Sequence, residues 1–330
     1  MAGSLLYVNA RIKSLENSLL NSMQLSRLVD AENLSDAFKI LQECGYGAGL
    51  AIDDINSYEN LIKSEEHAAI EFLRENLFKN SGLEAFLLKN DYHNAKVLIK
   101  AKYLRLDKVD DMVASDGLIS IDLMKEEIKN DKYDKLPRLM ANALGAIDVA
   151  FVNDNRSPRM IDILLDKAMF NDIYVTIKAS GQKPLQDYFT AWVDTTNIAS
   201  FIRSKRLGLE SKFFNEVFVD NGSLRRELFS DLYDASIEQF KEKTKYTPYG
   251  ALVNKAVEDE NGLVKFETAV DNYLIDIFKN SKYDMFSVAP IAGYYVGQVT
   301  EIKVVKLVIS CIKNNVDKQL LKQRLRELYA

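Results

Sequence analysis

The feature that most limits what this chain can fold into is a twelve-residue pattern that returns at roughly hundred-residue intervals. Asp91-x-x-Asn94-x-x-x-Leu98-Ile99-x-x-Lys102 is matched by Asp194-x-x-Asn197-x-x-x-Phe201-Ile202-x-x-Lys205. A degenerate third copy reads Glu301-x-x-Val304-x-x-x-Val308-Ile309-x-x-Ile312, with Lys313 one place later. Apolar residues at this spacing share one face of a helix, with an acidic residue near its start and a cation near its end, both complementing the helix dipole. Three copies therefore predict three similar helices. Their starts lie 103 and 107 residues apart, well beyond the roughly 30 to 50 residues of linearly stacked solenoid repeats.

The first two copies keep matching after a two-residue insertion. Val109, Met112, Val113, Gly117, Ile119, Leu123 and Met124 correspond to Phe214, Val217, Phe218, Gly222, Leu224, Leu228 and Phe229. Gly117 and Gly222 each follow an apolar stripe, where a left-handed C-terminal cap is expected. The third copy runs to Ala330, with Leu320, Leu321 and Leu325 as its second stripe. Ahead of the motif, Phe78-Lys79-Asn80-Ser81 with Phe86 is echoed by Phe278-Lys279-Asn280-Ser281 with Phe286. Further amphipathic helices are expected from Leu5 to Leu19 and from Asp53 to Asn80. The expected organisation is three related units, 1–130, 131–230 and 231–330, with turns at Arg156-Ser157-Pro158 and Thr247-Pro248-Tyr249-Gly250.

Composition supports an all-α class. Gly 14 and Pro 5 in 330 residues fall well below the usual roughly 7% and 5%, so turns are few and helices long. A net charge of −5 argues against a nucleic-acid footprint, which needs a basic surface to displace phosphate counterions. Cys44 and Cys311 are far apart and without metal-ligand spacing, so neither a disulfide framework nor a zinc site is expected, and a reducing cytoplasm fits. The N-terminal residues do not read as a signal peptide, and no apolar run reaches the roughly 18 residues of a membrane span.

The usual catalytic constellations do not assemble. A hydrolase triad or metal site would draw on His67 or His93, but His67 lies in the charged run Ser64-Glu65-Glu66 and His93 inside the first repeat, both reading as surface or structural. Cys44-Gly45-Tyr46-Gly47-Ala48-Gly49 lacks the lysine and hydroxyl of a phosphate cradle and reads as a helix-ending loop. Asp53-Asp54 and Asp110-Asp111 lack the second carboxylate, one helical turn on, that an aspartate-rich magnesium motif requires. Trp192 with Tyr188 and Phe189 reads as core packing rather than a ligand cage. Arg203-Ser204-Lys205-Arg206 and the run Lys313, Lys318, Lys322, Arg324 and Arg326 form basic stretches in an acidic chain, either a solvated face or a contact for an acidic protein. No catalytic residue, cofactor or metal ligand is expected.

Asp91-Tyr92-His93-Asn94-Ala95-Lys96, then Asp194-x-x-Asn197-Ile198 with Phe201-Ile202-Arg203-Ser204-Lys205-Arg206, and Pro290-Ile291-Ala292-Gly293-Tyr294-Tyr295 leading to Glu301-Ile302 carry a resemblance across essentially the whole chain. The chain resembles the C subunit of bacterial and archaeal V-type (A/V-type) ATPases, the family that includes the d subunit of the eukaryotic V-ATPase. That resemblance implies three similar helical domains arranged as a funnel with pseudo-threefold symmetry. It also implies a non-catalytic, peripheral role at the cytoplasmic face of the membrane. There the protein would join the central shaft (D- and F-type subunits) to the membrane rotor ring for ATP-driven proton or sodium transport. Cations at the ends of the repeat helices, Lys102, Arg203, Lys205, Arg206 and Lys313, are the candidate shaft contacts. A helical scaffold unrelated to rotary motors is the alternative.

Overall fold

The computed structural model describes residues 2–47, 58–106, 109–114, 116–152 and 157–330. Helices α1 (Ala2–Leu15), α2 (Ser22–Asp30), α3 (Leu34–Glu43) and α4 (Tyr58–Glu75) precede the first repeat helix, α5 (Ala85–Leu104). Next come α6 (Ile121–Lys129), α7 (Arg138–Val152) and α8 (Pro158–Ser180), leading to the second repeat helix, α9 (Lys183–Arg206). The short helices α10 (Ser211–Val217), α11 (Arg226–Asp231), α12 (Ile237–Thr244) and α13 (Gly250–Val257) follow, then α14 (Gly262–Lys279). The third repeat helix, α15 (Ala289–Lys313), is followed by α16 (Lys318–Lys322). Helices hold 72% of the described residues, and no strand occurs among them. The fold class is all-α, as the turn-poor composition predicts.

Local chemistry sets the helix ends. The Asn21 side chain accepts from the backbone N–H groups of Met23 and Gln24, while the Gln24 side chain accepts from Asn21 N–H, a reciprocal box that satisfies donors left over at the start of α2. Proline in the first turn starts α8, α9 and α15, where its missing N–H costs no helical bond. Gly181, at φ +67°, ends α8 with the left-handed turn that glycine adopts without strain. Of the expected helix over 53–80, Tyr58–Glu75 is helical, and Asp53 to Ser57 lie outside the described residues, as do Ala48, Gly49 and Arg156. The first helix stops at Leu15; Leu19 lies past a 3-10 turn at Glu16–Ser18, yet is buried.

The chain forms two compact units. One is continuous, Lys79–Glu242; the other joins Met1–Phe78 to Lys243–Ala330. In the continuous unit α8 packs against α5, α7 and α9, and α9 against α10. Three polar links, Tyr92 to Asp172, Lys96 to Asp166 and Lys100 to Asp162, tie α5 to α8 in antiparallel register. Phe201 is wholly buried among Phe214, Phe229, Tyr233 and Phe240, with ring centroids 4.4–5.7 Å apart. Trp192 is half-buried and packs against Phe170 and Phe189, at the margin of the core rather than fully within it.

In the discontinuous unit α15 packs against α1, α3, α4, α14 and α16. Its first turns, Ala289 to Gly297, are buried without a break, so a solvent-facing stripe is missing there. Gly293 and Gly297 make room for Tyr329: a Cβ at either would come within 2.6–2.7 Å of that side chain. The specific stretch Pro290–Tyr295 is thus, in part, a seat for the end of the chain.

Leu98, Phe201 and Val308 are 7%, 0% and 0% exposed, placing all three on buried stripes as the repeat alignment requires. Two expectations are corrected. Gly117 and Gly222 are not left-handed caps, since neither has a positive φ. They are close-approach positions: an added Cβ would meet Asp91 Oδ1 at 2.1 Å and Asp194 Oδ1 at 2.2 Å. The echo around residues 80 and 280 also fails to carry into structure. Asn80 is left-handed and Asn280 right-handed, and Phe86 packs on Tyr188 and Phe189 whereas Phe286 is 73% exposed.

Candidate partner interface

Each repeat helix anchors the chain around it through its acidic residue and, in the first two copies, the asparagine one turn later. Asn94 donates through Nδ2 to the Ala114 carbonyl at 2.9 Å and accepts from Ala114 N–H at 2.7 Å. Asn197 does the same with Val219, at 2.8 and 2.9 Å. The partners lie 20 and 22 residues downstream, the difference being the two-residue insertion. A side-chain amide that serves one residue's N–H and C=O together stands in for a missing β-type pair, and both amides are fully buried. Asp91 accepts from Ile119 N–H, and Asp194 from Leu224 N–H, each at 2.9 Å. Asp194 further accepts from Ser223 N–H and Oγ. This is why Gly117 and Gly222 must lack side chains: each loop passes over a carboxylate.

In the third copy Glu301 reaches elsewhere. It accepts from Leu20 N–H at 2.6 Å and from the Tyr46 hydroxyl at 2.7 Å, binding α15 to the N-terminal segment. Burial pushes its carboxyl up to about 7, with Glu65 adding to the rise; the bonds from Tyr46 and Leu20 work the other way. Burial, and then the Glu301 charge, push the Tyr46 phenol well above its ordinary value. Neither partner was visible in the sequence, because the pairing spans 281 and 255 residues and leaves no local pattern. Val304, at the amide position, is fully buried and apolar.

The candidate cations are placed as follows. Arg203 and Arg206 are exposed on the last turn of α9. Lys205, between them, donates to the carbonyls of Tyr233 and Ala235 and lies over the Phe201 and Tyr233 rings, which ties down a turn of its own chain. Lys102, at the end of α5, pairs with Asp131 and Asp148. Lys313, exposed at the end of α15, donates to the Tyr58 hydroxyl at 3.2 Å and lies over that ring. Arg203, Lys205 and Arg206 therefore share one helix end, and Lys102 and Lys313 stand at two others.

His67 is exposed, and His93 places Nε2 2.9 Å from the Met112 carbonyl. Asp110 pairs with Lys125 rather than converging with Asp111 on a shared point. Among the described residues no group of three or more His, Cys, Asp or Glu could hold a metal ion, and no helix is long and apolar enough to cross a membrane.

Comparison with known proteins gives this scaffold its relatives. Residues 8–324 match the family described as ATP synthase (C/AC39) subunit. The chain is 20% identical over 323 residues to the C subunit of the V-type sodium ATPase of Enterococcus hirae, covering 98% of each. It is 23% identical over 327 residues to the C subunit of the A-type ATP synthase of Methanocaldococcus jannaschii, covering 92% of this chain and 81% of that one. With the C subunit of the V-type ATP synthase of Thermus thermophilus, identity is 24% over 225 residues, covering 65% of this chain and 67% of that one. A match over nearly the whole length, on an all-helical fold with its repeat helices in place, shows that the chain belongs to the ATP synthase (C/AC39) subunit family.

Proposed function

We propose that this chain is the non-catalytic central-stalk subunit of a rotary V-type ATPase, coupling the central shaft to the membrane rotor ring. The observation that carries the reading is the family match across residues 8–324, which includes all three repeat helices. A torque coupling needs stiff, packed helices and broad contact surfaces rather than a nucleophile, and buried acid and amide anchors of the kind at Asp91/Asn94 and Asp194/Asn197 supply stiffness. The partners are D- and F-type shaft subunits and the ring subunits, and the chain sits peripherally at the cytoplasmic face, reaching the membrane through the ring. The ion is a proton or sodium; the name of the Enterococcus hirae relative includes sodium.

Three units, 1–130, 131–230 and 231–330, set as a funnel with pseudo-threefold symmetry, are part of the proposal. The equivalent bonds of Asn94 and Asn197 support it for the first two. Density for the assembled enzyme in which α5, α9 and α15 are unrelated by successive third-turns would overturn it. The proposed shaft contacts are Lys102, Arg203, Lys205, Arg206 and Lys313, facing acidic or carbonyl-rich helix ends.

Affinity isolation of the chain from native membranes tests the function. Shaft and ring subunits should co-purify, the pure chain should hydrolyse no ATP, and membranes lacking it should lose ATP-driven ion transport while a detached head still hydrolyses. Isolation with unrelated proteins, or unaltered transport without the chain, would overturn the reading. Charge reversal at the five cations should weaken shaft binding and reduce its salt dependence; a folded variant that binds as the parent does would remove them from the interface.

A further inference from the structure

A lysine that forms no ion pair among the described residues, Lys167, lies in the cleft between α8 and α10. The cleft has a volume of about 490 Å³, and its lining includes Arg159, Met160, Ile163, Leu164, Lys167 and Glu216. The nearby carboxylates are committed elsewhere. Glu216 pairs with Arg159 at 2.9 Å, and the Arg159 guanidinium carbon stands 3.7 Å from the Phe213 ring centre. Asp220 pairs with Arg226 at 3.0 Å, while Arg226 also donates to the Asn215 carbonyl and covers the Phe218 ring. Both arginines are thus held in place and neutralised. Lys167 is half-buried and makes no ion pair or hydrogen bond among the described residues. Burial, with the Arg226 charge next in size, pushes its ammonium below the ordinary lysine value, and the charges of Asp220 and Glu216, already paired with arginines, offset that only in part.

A half-buried ammonium that makes no direct ion pair keeps part of its desolvation cost, and an incoming carboxylate would offset it. We infer that this cleft is a docking site for a single acidic side chain of a protein partner, with Lys167 as its counter-charge. The charge balance selects the occupant. The Arg159–Glu216 and Arg226–Asp220 pairs are neutral, leaving one unmatched positive charge, which suits one carboxylate better than a phosphate dianion or an anionic lipid surface. The apolar wall of Met160, Ile163 and Leu164 calls for apolar residues around that carboxylate, as on the acidic edge of an amphipathic helix. The inference rests on the proposed function only in that the partner is sought among the other proteins of the assembled complex.

Zero-length cross-linking of the purified native complex with a water-soluble carbodiimide tests it. The carboxylate adds to the carbodiimide to give an O-acylisourea; the Lys167 amine attacks its acyl carbon, forming an amide and releasing the urea, and peptide mass spectrometry locates the amide. An amide from Lys167 to an Asp or Glu of another protein in the complex is expected, together with protection of Lys167 from acetylation relative to the isolated chain. Lys167→Glu should lower recovery of that partner at least about fivefold, and Lys167→Arg should retain it. A complex that co-purifies intact while Lys167 joins only its own Glu216 or Asp220, or stays as reactive as in the free chain, would sink the inference and leave the proposed function standing. Protection of the isolated chain by phosphatidylglycerol vesicles would reassign the cleft to a lipid headgroup and equally overturn it.

Discussion

At Glu301 burial holds the carboxyl proton up to about 7, whereas the unfolded chain releases it near 4.5. Between those values the folded state binds a proton that the unfolded state has lost, so stability falls as pH rises through this window and levels off above it. The loss is on the order of 3 kcal/mol, a pKa unit being worth about 1.4 kcal/mol. Glu301→Gln keeps the shape and an acceptor for Leu20 N–H and removes the ionisation. Chemical denaturation across pH should show the parent losing stability between about pH 5 and 7, and the variant flat there and at least as stable above it. A variant with the parent's slope would mean that another group carries the titration. Asp91 and Asp194 occupy the same motif position yet serve loops of their own neighbourhood. The sequence shows the equivalence of the three acids and hides the difference in their partners, because hydrogen bonds across hundreds of residues leave no spacing to read.

On the scale of elements, the stripes were legible and the loops were not. A period of three to four residues identifies Leu98 and Phe201 because helical burial repeats with the helix. Leu98→Ala and Phe201→Ala should each cost about 2 to 5 kcal/mol through lost burial and residual cavity, whereas His67→Ala, on an exposed face, should cost little. Denaturant melts of the three variants decide this. Glycine is harder to read, since one residue type serves both a left-handed turn and a close approach. Gly222→Ala would drive a Cβ to within 2.2 Å of the Asp194 carboxylate and should cost about 1 to 3 kcal/mol by disturbing its bonds to Ser223 and Leu224. Gly145, inside α7, has nothing within 4 Å of such a Cβ, so Gly145→Ala should gain about 0.5 to 1 kcal/mol from helix propensity. Opposite signs for two glycine-to-alanine changes are the expected outcome of paired thermal melts.

For the molecule as a whole, the all-α class was legible from composition, and the two compact units were not. Local periodicity carries no record of which distant segments share a core. Native-state hydrogen exchange should show α1, α4 and α15 opening together, since they share one unit, with α5, α8 and α9 grouped by a different opening free energy. Exchange that links α4 with α5 and separates it from α15 would contradict that division.

The discontinuous unit also sets an order of events during synthesis. Residues 79–242 can complete their core as soon as they have left the ribosome. Residues 1–78 emerge before that middle segment, yet the helix they pack against, α15, emerges only after it. Throughout translation of residues 79–242, the apolar faces of α1, α3 and α4 have no lasting cover, so a segment made before the middle unit is secured only after it, and it is the one a nascent-chain chaperone would meet.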